Sequence, residues 1–363
     1  MAVPHFLGPL AQRYLKQVII PGSHDAGLAA AFQQDLSKLS SAAKTVTQSV
    51  GVGGQAAAGS RFFDVRIQSI GGTLKSFHTA PNPLGKVPLI NKIKATKTDT
   101  KTFGASGEDF HHILDDLRAF VTGSTEFVII RLSHLKDSAD IFQQLWTWIS
   151  LPANDPYVYK GVGNLANTKV GPLAGKVVLV IEAKKFKHAV NPPAGGPARI
   201  PGQADGFHKF YQSKGGNLPN VTDGLCVCGE FSNKKKLGDI LKKQITNYAH
   251  HDQHKNHMAA QSHLYSLYWT ATGGDIQTNT GQQLTGNFDK VRKLVNDKLT
   301  ENWGNEIGSI ENYHANRQDF DGVNGIRRKF AVKSASIPNI VLYDFVNDVS
   351  SQEIIDLNDL VSH

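Results

Sequence analysis

Cysteine is scarce in this chain. Among 363 residues there are two, Cys226 and Cys228, in the run Leu225-Cys226-Val227-Cys228. A disulfide framework is therefore absent. The run reads as a buried strand with both thiols on one face, where alternate positions are poor bridge partners. Long apolar runs are missing too, and no stretch approaches the roughly 18 residues of a transmembrane helix. Residues 1–17 lack a basic segment followed by an apolar one, so no secretory signal is expected in this chain and the compartment stays undetermined. Acidic residues are outnumbered, 31 Asp and Glu against 39 Lys and Arg, which leaves a formal net charge of +8. That balance favours anionic partners, an acidic lipid surface or nucleic acid. Lysines gather at Lys92, Lys94, Lys97 and Lys101, at Lys184, Lys185 and Lys187, and at Lys234, Lys235 and Lys236. Aromatics do not interleave with them as on a nucleic-acid platform, so nucleic acid is not expected as a partner. No obligate protein partner is indicated. With 40% hydrophobic residues, no internal repeat and no linker, residues 1–363 read as one domain with a sizeable core.

Three short runs carry the chemistry. Val18-Ile19-Ile20 stops at Pro21-Gly22 and delivers Ser23, His24 and Asp25. Arg61-Phe62-Phe63-Asp64-Val65-Arg66-Ile67 places an acid and a base on one strand face, since alternate residues point the same way. Leu74-Lys75-Ser76-Phe77 ends in His78. Taken singly, Asp64 and Arg66 could be a buried ion pair and His24 a core histidine, because ionisable groups can be structural. Together, two histidines and an arginine at strand ends suit acid–base chemistry on a phosphate. Cleaving a phosphodiester by an internal hydroxyl needs a base, an acid and a fixed cation. Imidazole titrates near neutrality, and the guanidinium fork bonds two oxygens while staying charged.

These residues resemble the catalytic X domain of the phosphatidylinositol-specific phospholipases C. The match runs through Ile20-Pro21-Gly22-Ser23-His24-Asp25-Ala26-Gly27, Gly59-Ser60-Arg61-Phe62-Phe63-Asp64-Val65-Arg66 and Phe77-His78. Weaker agreement continues at residues 126–132, 175–179 and 341–345. The resemblance implies His24 as general base, His78 as general acid and Arg66 as phosphate clamp. It implies Asp344 as the carboxylate orienting His24 and Asp25 as the partner of His78, with Asp64 on the same catalytic strand. Calcium-dependent members place acidic ligands around that strand, whereas bacterial-type members place an arginine there. Arg66 thus implies the metal-independent type, with no metal and no cofactor, acting on an anionic phospholipid headgroup at a membrane surface as a peripheral enzyme. Members of this type are commonly secreted. Headgroup recognition departs from the pattern. Where a basic side chain is expected at the exit of the fifth strand stands Glu182, and the acid and aromatic expected after the sixth are represented loosely by Glu230 and Phe231. Arg131 is the candidate to supply the missing cation.

The coarse pattern agrees with an α/β fold. Eight strand candidates, Gln17–Ile20, Phe62–Ile67, Thr73–Phe77, Glu126–Leu132, Lys176–Ile181, Gly224–Cys228, Leu264–Trp269 and Asn339–Phe345, alternate with helical patterns. The helices expected are Gly107–Val121, Ala139–Ile149, Ser232–His250, Asn287–Leu299 and Ser351–Val361. Several strands are continuous apolar runs, as when both faces are covered. Such alternation predicts a (β/α)8 TIM-type barrel, with irregular or incomplete closure allowed for and the site at the C-terminal strand ends. Residues 28–55 read as a helix plus a glycine-rich connector at Gly51–Gly54, which lacks a Walker lysine. Residues 190–206 and 213–223 read as loops, and Trp146 and Trp148 are not expected to share the core.

Other features fit a site less well. The histidines between Tyr248 and Met258 lack the glutamate of a zincin, and Asp319-Phe320-Asp321-Gly322 lacks the further ligands of a calcium loop. Two rivals remain open. One is a metal-dependent glycerophosphodiesterase or sphingomyelinase-D-like enzyme on the same barrel, which needs a carboxylate cluster that Asp64 with Arg66 does not provide. The other is a non-catalytic lipid- or protein-binding module.

Overall fold

Eight parallel strands close into a ring in the computed structural model, which describes residues 8–29, 34–35, 46–79, 104–124, 126–135, 138–193, 195–213, 221–231, 243–244, 262–270, 339–344, 346–356 and 358. In chain order the strands are β1 (Ile20–Ser23), β2 (Gln34–Asp35), β3 (Phe62–Ile70), β4 (Thr73–Thr79), β5 (Gly104–Asp109), β6 (Val128–Ser133), β7 (Val177–Glu182), β8 (Phe207–Ser213), β9 (Leu225–Cys228), β10 (Leu264–Trp269) and β11 (Ile340–Tyr343). The barrel runs β1-β3-β6-β7-β8-β9-β10-β11 and returns to β1, which pairs with both β3 and β11. This is the (β/α)8-type architecture, and the ring is closed. Beyond β3, the strands β4, β5 and β2 extend the sheet outward as antiparallel neighbours.

Two apolar clusters account for the layers. The outer sides of β3, β6 and β7 contribute Phe63, Val65, Val128, Ile130, Leu132, Leu179 and Ile181 to a cluster with residues of the helices at 110–124 and 138–149. The opposite parity, Ile20, Phe62, Ile129, Val178, Val180, Phe210, Leu225, Val227, Leu264 and Leu342, fills the interior. Both faces are covered, which is why these strands are apolar throughout rather than alternating. Gly22 is needed where β1 presses inward, because a Cβ there would stand 2.9 Å from Leu342 Cδ2.

Four α-helices have both ends among the described residues: α1 (Val52–Ala57), α2 (Phe110–Ser124), α3 (Ser138–Ile149) and α4 (Asp348–Asp356). Helix α2 buries Phe110, Ile113, Leu114, Leu117 and Val121, one stripe at helical spacing. Its start lies later than the expected Gly107, because residues 104–109 pair with β4 as β5. No helix among the described residues is long and apolar enough to cross a membrane.

Several expectations need correction. The run Thr73–Phe77 is a strand but not a barrel stave; it folds back on β3 as a hairpin. The missing stave is β8, whose mixed sequence Phe207-His208-Lys209-Phe210-Tyr211-Gln212-Ser213 hid it. Arg131 therefore lies toward the end of the third barrel strand, Glu182 ends the fourth, and the fifth ends at Gln212 and Ser213. Gly53 and Gly54 lie inside α1 rather than in a connector. Trp146 and Trp148 are both buried: Trp146 stacks on Phe207, and the Trp148 indole donates to Asp115 at 3.1 Å. The expected helix Asn287–Leu299, nearly all of Ser232–His250, the histidine run, Asp319–Gly322 and the lysines of residues 92–101 and 234–236 lie outside the described residues.

Candidate active site

A single parity rule brings the site together. The inward row that is apolar at mid-barrel turns polar at the C-terminal ends. It ends in His24 after β1, Asp64 and Arg66 on β3, Arg131 and Ser133 on β6, Glu182 on β7, Gln212 on β8, Tyr268 on β10 and Asp344 after β11. Side chains two residues apart face the same way, so one register sets them all around one mouth.

His24 and Asp25 sit on a tightly held turn. Asp25 adopts φ 43°, a left-handed conformation unusual for a side-chain-bearing residue. The turn is tied down from several sides. Thr47 Oγ1 donates to the Asp25 carbonyl at 2.8 Å, Gln48 Nε2 to the His24 carbonyl at 2.9 Å and the Ala26 amide to the Asp64 carbonyl at 2.9 Å. Gln55 Nε2 reaches the Ala26 carbonyl at 2.8 Å, and Ser23 donates to Gln55 Oε1. Gln48 and Gln55 come from the segment before and within α1, so the residues just after β1 depend on a distant stretch of chain.

The Asp25 carboxylate is the hub. Its Oδ1 lies 2.8 Å from Arg66 Nε, and its Oδ2 lies 3.4 Å from His78 Nε2 and 3.6 Å from His24 Nε2. His24 and Asp25 are both 2% exposed, whereas the side chains of Arg66 and His78 are 20% and 17% exposed. Behind His24, Asp344 Oδ1 stands 3.0 Å from Nδ1. The imidazole also stacks on Phe231 at 5.3 Å, with Tyr268 edge-on at 6.4 Å.

Electrostatics follow the geometry. Burial disfavours a charged His24, but Asp25 and the hydrogen-bonded Asp344 outweigh it and raise its pKa above the ordinary imidazole value, with Arg66 opposing. Burial likewise pushes against ionised Asp25, yet Arg66, His24 and His78 hold its carboxyl down at about 2. One carboxylate thus stabilises positive charge on both histidines and on the guanidinium.

A second polar group adjoins the first. Asp64 accepts from Ser133 Oγ at 2.9 Å and faces Arg131 Nη1 at 3.6 Å, so Asp64 pairs across to β6 while Arg66 lies against Asp25. Arg131 donates to the Tyr268 hydroxyl at 2.7 Å and to Gln212 Oε1 at 2.8 Å, and its guanidinium lies 4.4 Å over the Phe210 ring. A cavity of about 360 Å³ opens beside it, lined by Arg131, Glu182, Ala183, Lys184, Phe210, Tyr211 and Gln212. Glu182 is 3.4 Å from Lys184 Nζ. Glu230 pairs with Lys243 at 2.5 Å, and Phe231 presents one face to His24 rather than standing clear as a platform. Ser133, His134, Gln212 and Tyr268 escaped the sequence reading. The inward parity of strands already recognised could have found Ser133 and Tyr268, while Gln212 lay on the unrecognised β8.

His24, Asp25 and Asp64 also offer donor atoms within 4.8 Å of one another, a set that could hold a metal ion. The carboxylate pair that the sequence seemed to lack is therefore supplied by Asp25. Its Oδ1 already faces the fixed charge of Arg66, against which a dication would compete.

No family model matches this chain, and no curated protein matches it by sequence. Solved structures do. A variant of the phosphatidylinositol-specific phospholipase C from Staphylococcus aureus is 14% identical, with a TM-score of 0.52 over 99% of this chain and 98% of that one. The phosphatidylinositol-specific phospholipase C from Listeria monocytogenes is 14% identical with a TM-score of 0.52, covering 98% of each chain. A further Staphylococcus aureus structure, from work on that enzyme's membrane binding, is 14% identical with a TM-score of 0.52 over 97% of this chain and 95% of that one. These structures share the fold of this chain.

Proposed function

We propose that this chain is a phospholipase C acting on phosphatidylinositol-type lipids by general acid–base catalysis. The observation that carries the reading is the Asp25 carboxylate, within 3.6 Å of Arg66, His78 and His24 at once, with Asp344 behind His24. In this reading His24 takes the proton of the headgroup 2-hydroxyl, whose oxygen attacks phosphorus. The bond from phosphorus to the glycerol oxygen breaks, and His78 protonates that oxygen. The products are a cyclic inositol phosphate and diacylglycerol. Arg66 stays charged throughout and neutralises the non-bridging oxygens, the largest electrostatic demand of the transition state. Asp344 fixes the His24 tautomer and steadies its cation. Approach to an anionic membrane surface is favoured by the net charge of +8.

The donor set of His24, Asp25 and Asp64 favours one rival, a metal-dependent phosphodiesterase on the same barrel. Phosphorus NMR on phosphatidylinositol vesicles, with and without EDTA, separates them. The acid–base reading expects a cyclic inositol phosphate signal that chelator leaves intact. Loss of all turnover in EDTA, restored by calcium or magnesium, selects the rival. No cyclic product under either condition rejects the headgroup assignment.

A further inference from the structure

Parallel pairing of β1 with β11 ends at Ser23 and Tyr343, with one further backbone bond from the His24 amide to the Tyr343 carbonyl at 3.3 Å. Past that point His24 and Asp344 leave their strands, yet Nδ1 of the one stands 3.0 Å from Oδ1 of the other. The Gln48 side chain spans this gap. Its Nε2 donates to the His24 carbonyl at 2.9 Å and to the Tyr343 carbonyl at 3.4 Å, and its Oε1 accepts the Val346 N–H at 3.0 Å. Tyr343 and Val346 bracket Asp344. One planar group therefore holds the residue that carries the imidazole and both flanks of the residue that carries its carboxylate.

A primary amide has the donor and the acceptor of a peptide unit. Gln48 thus does what a further rung of the ladder would do where the two chains part. Its own place is fixed: it is 0% exposed, its N–H bonds the Leu28 carbonyl at 3.3 Å, and Thr47 beside it bonds the carbonyls of Leu28 and Asp25. Burying an amide is unfavourable unless both its ends are bonded, and packing alone would be served by an apolar side chain of similar size. Asn358 provides a contrast at the opposite end of β1. It too is buried, and its side-chain amide bonds the N–H and the carbonyl of Ile19, both at 2.8 Å. Both amides tie β1 in place, but Gln48 does so beside the His24–Asp344 pair.

We propose that Gln48 is a positioning residue for proton transfer, its amide continuing the β1–β11 ladder beyond the last backbone bond and setting His24 and Asp344 at hydrogen-bonding distance. The catalytic consequence rests on the phospholipase reading; the geometry of the pair does not.

The test compares wild type with Gln48→Met, similar in shape but without the amide, and with Asn358→Leu as the control. Three readouts are needed: thermal melting, kcat and KM on phosphatidylinositol vesicles, and the His24 Nδ1 proton in NMR of histidine-labelled protein, identified by its loss in His24→Ala. Both variants should melt at lower temperature than wild type. Gln48→Met should lose about 10–100-fold in kcat, with KM changed by less than about twofold. Its His24 proton should move upfield as the bond to Asp344 lengthens, whereas Asn358→Leu should keep wild-type kcat and resonance. If Gln48→Met gives no cooperative melt, Gln48→Asn, an amide one methylene short, replaces it with the same expectations. Wild-type kcat or an unmoved resonance in the Gln48 variant overturns the proposal. Equal losses in Asn358→Leu do so as well, as does a wild type that lacks the resonance. A wild type that shows the resonance but never turns over phosphatidylinositol sinks the phospholipase reading, and the resonance comparison then judges Gln48 by itself.

Discussion

Arg61 and Arg66 leave one stretch of chain and reach opposite ends of the barrel, and their surroundings differ in kind. Arg61, just below β3, is buried and closed off by its partners. Its Nε donates to Glu126 at 3.0 Å, its Nη1 to the carbonyls of Ala56 and Ser60 at 2.8 and 3.0 Å, and its guanidinium lies 4.7 Å from the Phe120 ring centroid. Arg66 approaches Asp25 as closely, at 2.8 Å, yet without the angle of a hydrogen bond, and neither Asp25 oxygen has a hydrogen-bond partner among the described residues. Buried polar groups are ordinarily hydrogen-bonded. The floor cluster meets this rule and ties the barrel together, whereas the rim cluster is held by opposite charges at close range without aligned hydrogen bonds to Asp25.

The sharpest way to break this contrast is to remove one group from each end. His24→Ala should lower kcat/KM on phosphatidylinositol vesicles by about 10²–10⁴-fold while keeping a cooperative melt. Turnover near wild type would return the rim to a structural role. Arg61→Ala should do the reverse, costing about 3–5 kcal/mol in a urea titration by leaving Glu126 buried and unpaired. Activity per folded molecule should survive there; a stable but inactive Arg61→Ala would erase the distinction.

Acid sharpens the comparison further. The Asp25 carboxyl, ordinarily at 3.8, is held at about 2, so its contribution is complete above pH 3.8 and disappears as pH falls toward 2. The amount is on the order of 2 kcal/mol. Stability measured by denaturant between pH 5 and 2 should fall less steeply in Asp25→Asn than in wild type. Equal slopes would mean that the rim carboxylate is not tuned by its neighbours. A smaller effect concerns the base. Asp25 and Asp344 raise the His24 pKa, so the rising acid limb of kcat/KM should lie above an ordinary imidazole's. Removing one of the two charges with Asp344→Asn should move that limb to lower pH while reducing kcat. A limb that stays in place would assign the titration to another group.

Much of the rim was legible because strand parity is a local code. Asp64 and Arg66 share a face by spacing alone, and His24 and Asp344 mark strand exits through the runs that precede them. His78 was found for the same reason, but its strand was misplaced, since a hairpin strand and a barrel stave look alike in a short run. Strand β8 was missed because its inward residue His208 is polar. That imidazole is satisfied by the Tyr159 carbonyl at 3.0 Å, a contact 49 residues away in sequence. The two tryptophans of α3 were judged as if one face of a helix were buried. Phe207 covers Trp146, and Asp115 receives the Trp148 indole, from opposite neighbours.

What the amino-acid order determined by itself was periodic and short-range: which runs are strands, which residues share a face, and which chemical groups stand at strand exits. Tertiary structure alone decided which stave is which, that Asp25 touches two imidazoles and a guanidinium, and that Gln48 spans the exits of β1 and β11. The reason is physical. Alternation is written into each strand by its own Cβ directions, whereas ring closure and the partners of a buried group depend on segments hundreds of residues apart, as His24 depends on Asp344.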